Sequence, residues 1–344
     1  MNPLSGATPL RIVSIGGGTG LATLLRGLKR YTRATHGGIE VTAVVTVTDD
    51  GGSSGRLRRE FDVLPPGDIR NCMAALSQDE TLLGRLFNYR FSSGRGLKGH
   101  SFGNLFLTAM THLTGDFPQA VKLSAEVLAV AGRIYPSTGA NVSLEATLAD
   151  GTIVSGESRI GRSRKRITDV RLKPARVRPL KETLRAIAEA DLITLGPGSL
   201  YTSVIPNLLV NGIPKAIAQS PATKVYFANL MTQPGETLGF TVADHVEAIQ
   251  RHGGRHGHAL IDVCVVNSGV LQSDAIRRYR AQSAQPVDVD AARLEAEGIQ
   301  VLSQDLVLKG GRRGPDKIRH DSSAIAAVAV ELAQEHRWKG KRRK

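Results

Sequence analysis

The chain has 344 residues, 41% hydrophobic and 22% charged, a balance ordinary for a soluble globular protein with a sizeable core. No run approaches about 18 uninterrupted apolar residues, which excludes a membrane span, and residues 1–10 lack the basic start and apolar run of a secretory signal. The net charge of +14 is local: Arg159–Arg185 carries 11 Lys/Arg against Asp169 and Glu182, Arg337–Lys344 carries 6 with no acid, and the remaining body is close to neutral.

In chain order, residues 1–9 read as a flexible N-terminus. Leu10–Ile15 and Ile39–Val47 read as buried strands with a helix at Gly20–Tyr31 between them, a βαβ unit. A polar glycine-rich loop spans Thr48–Gly55. Asp68 is placed to cap a helix running to Leu76. Helical periodicity continues through Glu80–Phe91, Ser101–Leu113 and Phe117–Ala131. Alternating segments at Asn141–Leu148, Thr152–Gly156 and Ile167–Leu172 predict an antiparallel β insertion over about 141–178. Leu180–Ala190 restores a helix. Strands are expected at Asp191–Leu195, Ala216–Ala218, Val225–Asn229 and Ile261–Val266. Helices are expected at Ser203–Val210, Val242–His252, Asp274–Gln282 and Ala291–Glu297. Ile299–Leu302 and Leu306–Leu308 read as peripheral strands, and Ser322–Glu335 as an amphipathic closing helix before a solvated, disordered basic tail at 336–344. The fold class is α/β: one Rossmann-like, doubly wound, mainly parallel sheet over 10–335 with the small antiparallel insertion. Aromatics are scarce at 4%, so the core is expected from Val, Ile, Leu and Ala. Cys72 and Cys264 lie far apart and read as two buried thiols in a reducing cytoplasm.

Ligands of open parallel sheets bind beyond the carboxyl ends of the strands, and four polar glycine-containing segments fall there. The first is Gly16-Gly17-Gly18-Thr19-Gly20, a strand-to-helix turn whose open backbone N–H groups and helix N-terminus suit a phosphate. It is neither the strict dinucleotide fingerprint, since the sixth position is Leu21, nor a P-loop. The second is Thr48-Asp49-Asp50-Gly51-Gly52-Ser53-Ser54-Gly55-Arg56. Asp49 and Asp50 suit a ribose or substrate hydroxyl, or Mg²⁺ beside phosphates; the alternative is an Asx turn. The third is Gly196-Pro197-Gly198-Ser199-Leu200-Tyr201-Thr202-Ser203, whose first four residues resemble a second phosphate cradle, with the Ser199, Thr202 and Ser203 hydroxyls as further donors, or a plain helix start. The fourth is Asn229-Leu230-Met231-Thr232-Gln233-Pro234-Gly235-Glu236-Thr237. His100 and Asn104, in Gly99-His100-Ser101-Phe102-Gly103-Asn104, suit an acid or base and its orienting amide, or a structural cap. The glycine-rich run His252–His258 suits a mobile loop, and less well a metal site. The two basic segments lack interleaved aromatics and any duplex-recognition motif, so nucleic-acid binding is the third choice among functions.

These runs, with Pro66-Gly67-Asp68-Ile69-Arg70-Asn71 and Met231–Thr237, closely resemble the gluconeogenesis factor family of bacteria, the YvcK-like proteins. That family is related to the 2-phospho-L-lactate transferases of coenzyme F420 synthesis. The resemblance runs from about Arg11 to Ala333. It implies a Rossmann-like fold, a cytoplasmic homodimer, and a role in cell shape and cell-wall precursor control during growth on gluconeogenic carbon, exerted through a protein partner. It further implies a UDP-sugar ligand, notably UDP-N-acetylglucosamine, with no established reaction. Carried over by motif, Gly16–Gly20 and Gly196–Ser199 take phosphate, and Asp49-Asp50 faces the sugar or acceptor. Ser53, Ser54, Arg56, Asn71, Asn104, Asn229, Thr232 and Gln233 join the ligand-binding set. Tyr279 is expected to stack on uracil and Arg319 to bridge the diphosphate. The alternative is a transferase of a nucleotide-activated phosphoester with Mg²⁺ at Asp49 or Asp50.

Overall fold

Ile12, Val13 and Ile15 are almost wholly buried, as are Leu192, Ile193 and Leu195. Runs buried on both sides belong to a parallel sheet covered by helices, and that is their place in the computed structural model, which describes residues 8–32, 38–78, 82–309 and 317–342. β1 (Leu10–Gly16) turns into α1 (Gly18–Leu28), and β2 (Ile39–Val45) returns beside β1. Five helices follow: α2 (Gly52–Phe61), α3 (Gly67–Leu76), α4 (Leu82–Asn88), α5 (Phe102–Thr114) and α6 (Phe117–Val127). The edge strand β3 (Arg133–Pro136) closes this half. The insertion comprises β4 (Ser143–Leu148), β5 (Ile153–Ser155), the single turn α7 (Glu157–Ile160) and β6 (Ile167–Lys173). α8 (Lys181–Ala188) and β7 (Leu192–Leu195) bring the chain back to β1. A wide helical turn at Leu200–Val204, α9 (Ile205–Leu208) and α10 (Ile213–Gln219) lead to β8 (Thr223–Phe227). Then come α11 (Val242–His252), β9 (Val263–Asn267), α12 (Ser273–Arg280), α13 (Ala291–Ala296), β10 (Gln300–Gln304) and α14 (Ser322–Arg342).

The main sheet has seven strands in the order β10-β9-β8-β7-β1-β2-β3, all parallel. The insertion is a separate antiparallel sheet, β5-β4-β6. Strand order reverses between β1 and β7. The connections leaving their carboxyl ends go to opposite sides, which opens a crevice there. α1 packs between α3 and α14, and α14 also lies on β1, β7 and β8. Both cysteines are free and buried, as expected.

Several boundaries differ from expectation. The loop after β2 is shorter, because α2 already starts at Gly52. Asp68 is not a cap: Pro66 holds that position, and Asp68 is buried in the first turn of α3. Ala216–Ala218 is not a strand but part of α10, which Pro214 starts in its first turn; three apolar residues do not separate the two periods. Leu306–Leu308 forms only an isolated bridge, Val307 to His320. β3 was not anticipated, because Arg-Ile-Tyr-Pro is too short to show alternation. The run after His252 is not a mobile loop; Gly254–Ala259 is a 3₁₀ segment.

The expected basic tail is likewise not free from Glu335 onward. α14 continues to Arg342, and Arg337 donates to both Asp191 carboxylate oxygens (3.3 and 2.5 Å), to Pro9 O (2.8 Å) and to Thr8 O. Residues 1–7 of the expected flexible N-terminus, Glu80 at the start of an expected helix, and Arg343 and Lys344 lie outside the described residues. Arg337 thus ties the last helix to the start of β1 and to Asp191 at the start of β7. Arg337→Ala leaves Asp191 without its partly buried partner and is expected to cost about 1.5–3 kcal/mol, read from the midpoint of urea unfolding. An unchanged midpoint would mean that the clasp adds nothing.

Candidate functional site

A cavity of about 550 Å³ opens at the β1/β7 crevice. The glycine turn (Gly17, Gly18, Thr19, Gly20) and the loop after β7 (Pro197, Gly198, Ser199) form one wall; the loop after β8 (Asn229–Gln233) forms another. Tyr279 from α12 and Lys317, Ile318, Arg319 and His320 bound it from the C-terminal region, and Glu157 of α7 reaches it from the insertion. The first N–H groups of α1 have no partner within the helix, the geometry that suits an anion. Pairing of β1 with β7 holds the two loops together, since Gly196 N donates to Ile15 O at 3.0 Å. Gly20 must be glycine, because a Cβ there would collide with Pro197 O.

The loops are tied by a few side chains. Glu236 is buried and accepts from Tyr201 N (2.9 Å) and Thr202 Oγ1 (2.8 Å), capping the helical turn that follows Ser199. Gln233 Nε2 donates to Ser199 Oγ at 2.9 Å. Tyr279 is half-buried, and its hydroxyl lies 3.5 Å from Ile318 O. Asp321 accepts from Ser323 N (2.7 Å) and Ala324 N (3.1 Å) at the start of α14, leaving Arg319 at the cavity. His320 Nε2 lies 3.1 Å from Ala228 O. A carbonyl only accepts, so Nε2 carries the proton, and burial lowers the ring's pKa to about 4, keeping it neutral.

The insertion is held against the body beside this cavity. Ser158 N donates to Asp50 Oδ1 at 2.8 Å. Gly161, after α7, packs so closely on Gly235 that a Cβ at Gly235 would strike its carbonyl. His252 Nδ1 donates to Ala248 O (2.7 Å), so Nε2 is free to accept from Val170 N of β6 (3.2 Å). Burial lowers the pKa of this histidine, against the pull of the Asp169 carboxylate 3.2 Å from Nε2.

Behind the glycine turn lies a buried acidic layer. Asp68 accepts from Gly18 N–H and is hydrogen-bonded to Asn71. Burial first, and the neighbouring Asp49 second, raise the Asp68 carboxyl to about 7. Burial raises Asp49 and Glu236 as well. Glu157 is raised well above the usual carboxylate range by burial, then by Asp68, Asp49, Glu236 and Asp50. Carboxyls raised in this way keep their protons to a higher pH than exposed acids do, because a low-dielectric setting penalises the charged form.

Of the residues singled out in the sequence, the cavity brings together Gly17, Gly18, Thr19, Gly20, Pro197, Gly198, Ser199, Asn229, Thr232, Gln233, Tyr279 and Arg319. Gly16 and Gly196 sit behind the loops at the strand ends. Asp49 and Asp50 are not among the cavity-lining residues. Asp49 Oδ1 accepts from Gly51 N at 2.8 Å, the Asx turn. Each aspartate serves a different backbone N–H through one oxygen, and among the described residues no group of three His, Cys, Asp or Glu is arranged for a metal ion. Ser53, Ser54, His100 and Asn104 form a buried polar cluster one layer further back: Ser53 Oγ lies 2.9 Å from His100 Nδ1, and Asn104 Nδ2 3.4 Å from Ser54 Oγ. Arg56 bonds Lys98 O (2.8 Å) and Asn71 accepts from Arg70 (2.5 Å). The sequence reading missed Glu157, Lys317 and His320 at the cavity and the bracing role of Glu236 behind it; Ser203, read as a hydroxyl donor of the third segment, lines the cavity. Asp68 was noticed only as a cap. Glu157 follows a β segment in the insertion, and no spacing within the chain links it to the glycine turn.

Fold and site define a doubly wound α/β protein with a glycine-lined cleft at the switch point of its sheet. The family model for 2-phospho-L-lactate transferase CofD matches residues 12–307. The gluconeogenesis factor of Bacillus subtilis is 49% identical over 325 residues, spanning 94% of this chain and 98% of the relative. That of Halalkalibacterium halodurans is 47% identical over 320 residues, covering 93% and 95%. A crystal structure of a Bacillus halodurans protein superposes with a TM-score of 0.88 at 46% identity, covering 94% of this chain and all of that one. The chain belongs to the CofD-related gluconeogenesis factor (YvcK-like) family.

The raised Asp68 carboxyl has a pH signature. From roughly pH 4 to pH 7 the folded chain keeps a proton that the unfolded chain has released, so this group favours folding below about pH 4 and that stability is lost as the pH rises through 7. Asp68→Asn keeps an oxygen for Gly18 N–H and removes the ionisation. The melting temperature of the variant, relative to wild type, is expected to rise between pH 5 and pH 8. A difference that stays constant with pH would place the titration elsewhere.

Proposed function

We propose that the protein is a nucleotide-sugar-binding regulator whose ligand resembles UDP-N-acetylglucosamine. The observation that carries this reading is the convergence, in one cavity, of two glycine-rich N–H-bearing loops with Tyr279 and Arg319. The cavity's volume of about 550 Å³ lies within the usual range for small-molecule sites. In this reading the diphosphate lies against Gly17–Gly20 and Gly198–Ser199. The Arg319 guanidinium bridges its oxygens, and the Tyr279 ring stacks on the uracil. The family membership supports a role as a gluconeogenesis factor. The regulatory part of the proposal extends it to cell shape on gluconeogenic carbon, exerted in the cytoplasm by a homodimer through a protein partner.

The transferase alternative draws support from the CofD family model. It would require turnover of the nucleotide, whereas a binding regulator leaves the nucleotide sugar intact. Steady consumption of UDP-N-acetylglucosamine by the wild type would favour the transferase.

The binding pose is tested by titrating UDP-N-acetylglucosamine calorimetrically into wild type, Tyr279→Ala and Arg319→Ala, with circular dichroism to confirm folding. Loss of a charge-assisted diphosphate contact is expected to cost about 1.5–3 kcal/mol, on the order of tenfold to a hundredfold in affinity for Arg319→Ala. Wild-type affinity in both variants would remove the uridine from this end of the cleft.

A further inference from the structure

Two hydrogen-bond acceptors at the cavity have no partner among the described residues. Glu157 Oε2 and Gln233 Oε1 are both buried, and both belong to residues lining the cavity. Gln233 Nε2 is held by Ser199 Oγ, which directs the amide and leaves its oxygen unpaired. Buried acceptors without donors are costly and uncommon. Two of them at one cavity call for a ligand that brings O–H or N–H groups to that place.

The surroundings narrow the ligand further. Glu157 stands in front of Asp68, Asp49, Asp50 and Glu236, with Asp68 on the N–H of Gly18 in the phosphate turn. The cavity's cationic side chains, Lys317 and Arg319, come from the C-terminal region instead. The burial and the neighbouring carboxyls that disfavour a charge on Glu157 equally disfavour an anionic group placed beside it, whereas a neutral polyol or amide would supply the missing donors. Charge rejection is stronger in such a buried setting than in water.

We propose that Glu157 and Gln233 form an acceptor end of the cleft that takes the neutral sugar of a nucleoside diphosphate sugar and rejects the terminal phosphate of a nucleoside triphosphate. This inference rests on the nucleotide-sugar reading above and assigns its selectivity to specific residues. It also gives the β insertion a role in recognition, since α7 carries Glu157 to the cavity and the Asp50–Ser158 bond with the Gly161–Gly235 packing holds it there.

The test measures affinities for UDP, UTP and UDP-N-acetylglucosamine by calorimetry, with Mg²⁺ and with a chelator, for wild type, Glu157→Gln and Gln233→Leu. Thermal unfolding checks that each variant folds. Wild type is expected to prefer the UDP-sugar to UTP under both conditions. Glu157→Gln replaces the ionisable carboxyl at constant shape and is expected to narrow that preference by about tenfold at a pH at which the wild-type carboxyl is ionised, mainly through tighter UTP binding. Gln233→Leu removes the second acceptor and also the bond that holds Ser199, and is expected to weaken the UDP-sugar several-fold more than it weakens UDP. An unaltered UTP-to-sugar ratio in Glu157→Gln, with wild-type UDP-sugar affinity in Gln233→Leu, overturns the inference and leaves the nucleotide-sugar reading standing. UTP binding that needs Mg²⁺ and is lost in Glu157→Gln also overturns it, because the carboxyl would then be holding a cation. Absence of binding of all three ligands by wild type overturns the nucleotide-sugar reading itself, and this assignment with it.

Discussion

The pairing of β1 with β7 is the constraint on which the rest of the site depends. Both strands run in the same direction, both are apolar on both faces, and both end in a glycine-rich loop. Four backbone registrations, Ile12 to Leu192 through Ile15 to Leu195, bring those loops to the same height. The chain separates them by more than half its length, so no local sequence pattern could hold them together. The reversal of strand order at this junction then prevents any connection from covering the gap. A cavity at that place follows from topology, before a single polar side chain is considered.

Polar residues adapt this crevice to a ligand mainly by bracing backbone. Glu236 caps the turn after Ser199, Gln233 holds Ser199 itself, and Asp68 takes the N–H of Gly18. All three hold the two loops and leave the other N–H groups of the first turn of α1 outside its helical ladder. Preorganisation of this kind lowers the ordering cost of binding. It also explains why several carboxyls are buried near a proposed phosphate site. They act on the backbone, and the raised pKa values of Asp68, Asp49 and Glu236 limit the negative charge they impose on an incoming anion.

The legible part of the site was the part made of backbone. Gly16–Gly20, Gly196–Ser199 and Asn229–Gln233 were readable because each follows an apolar run and because glycine marks a close approach. Tyr279 and Arg319 were reachable only through the family resemblance, since nothing in Arg-Arg-Tyr-Arg or Ile-Arg-His-Asp points to a nucleotide. Asp49-Asp50 was legible as an acidic pair at a strand end; that the Gly51 and Ser158 N–H groups would each take one oxygen of the pair was not. Glu157 could not be found by spacing, because an antiparallel insertion carries it across space to a loop far away in the chain. In the fold, long periodic helices such as α1 and α11 were readable. Ala216–Ala218 was not, since only tertiary packing decides so short an apolar run.

The distribution of charge finally separates attraction from selection. Arg162, Arg164, Arg176 and Arg178 are exposed on the insertion and its exit, while Glu157 of the same insertion points its unpaired oxygen into the cleft. An exposed basic surface draws anions from a distance of about one Debye length, roughly 8 Å at physiological ionic strength, and loses that pull as salt rises. A buried carboxyl acts only on the group that reaches it, and salt screens it far less. One small sheet therefore carries both signs at different depths. In the proposed reading its outer face draws phosphorylated metabolites in general, and its inner residue distinguishes among them by what lies beyond the second phosphate, the only part of a uridine nucleotide that differs between a diphosphate sugar and a triphosphate.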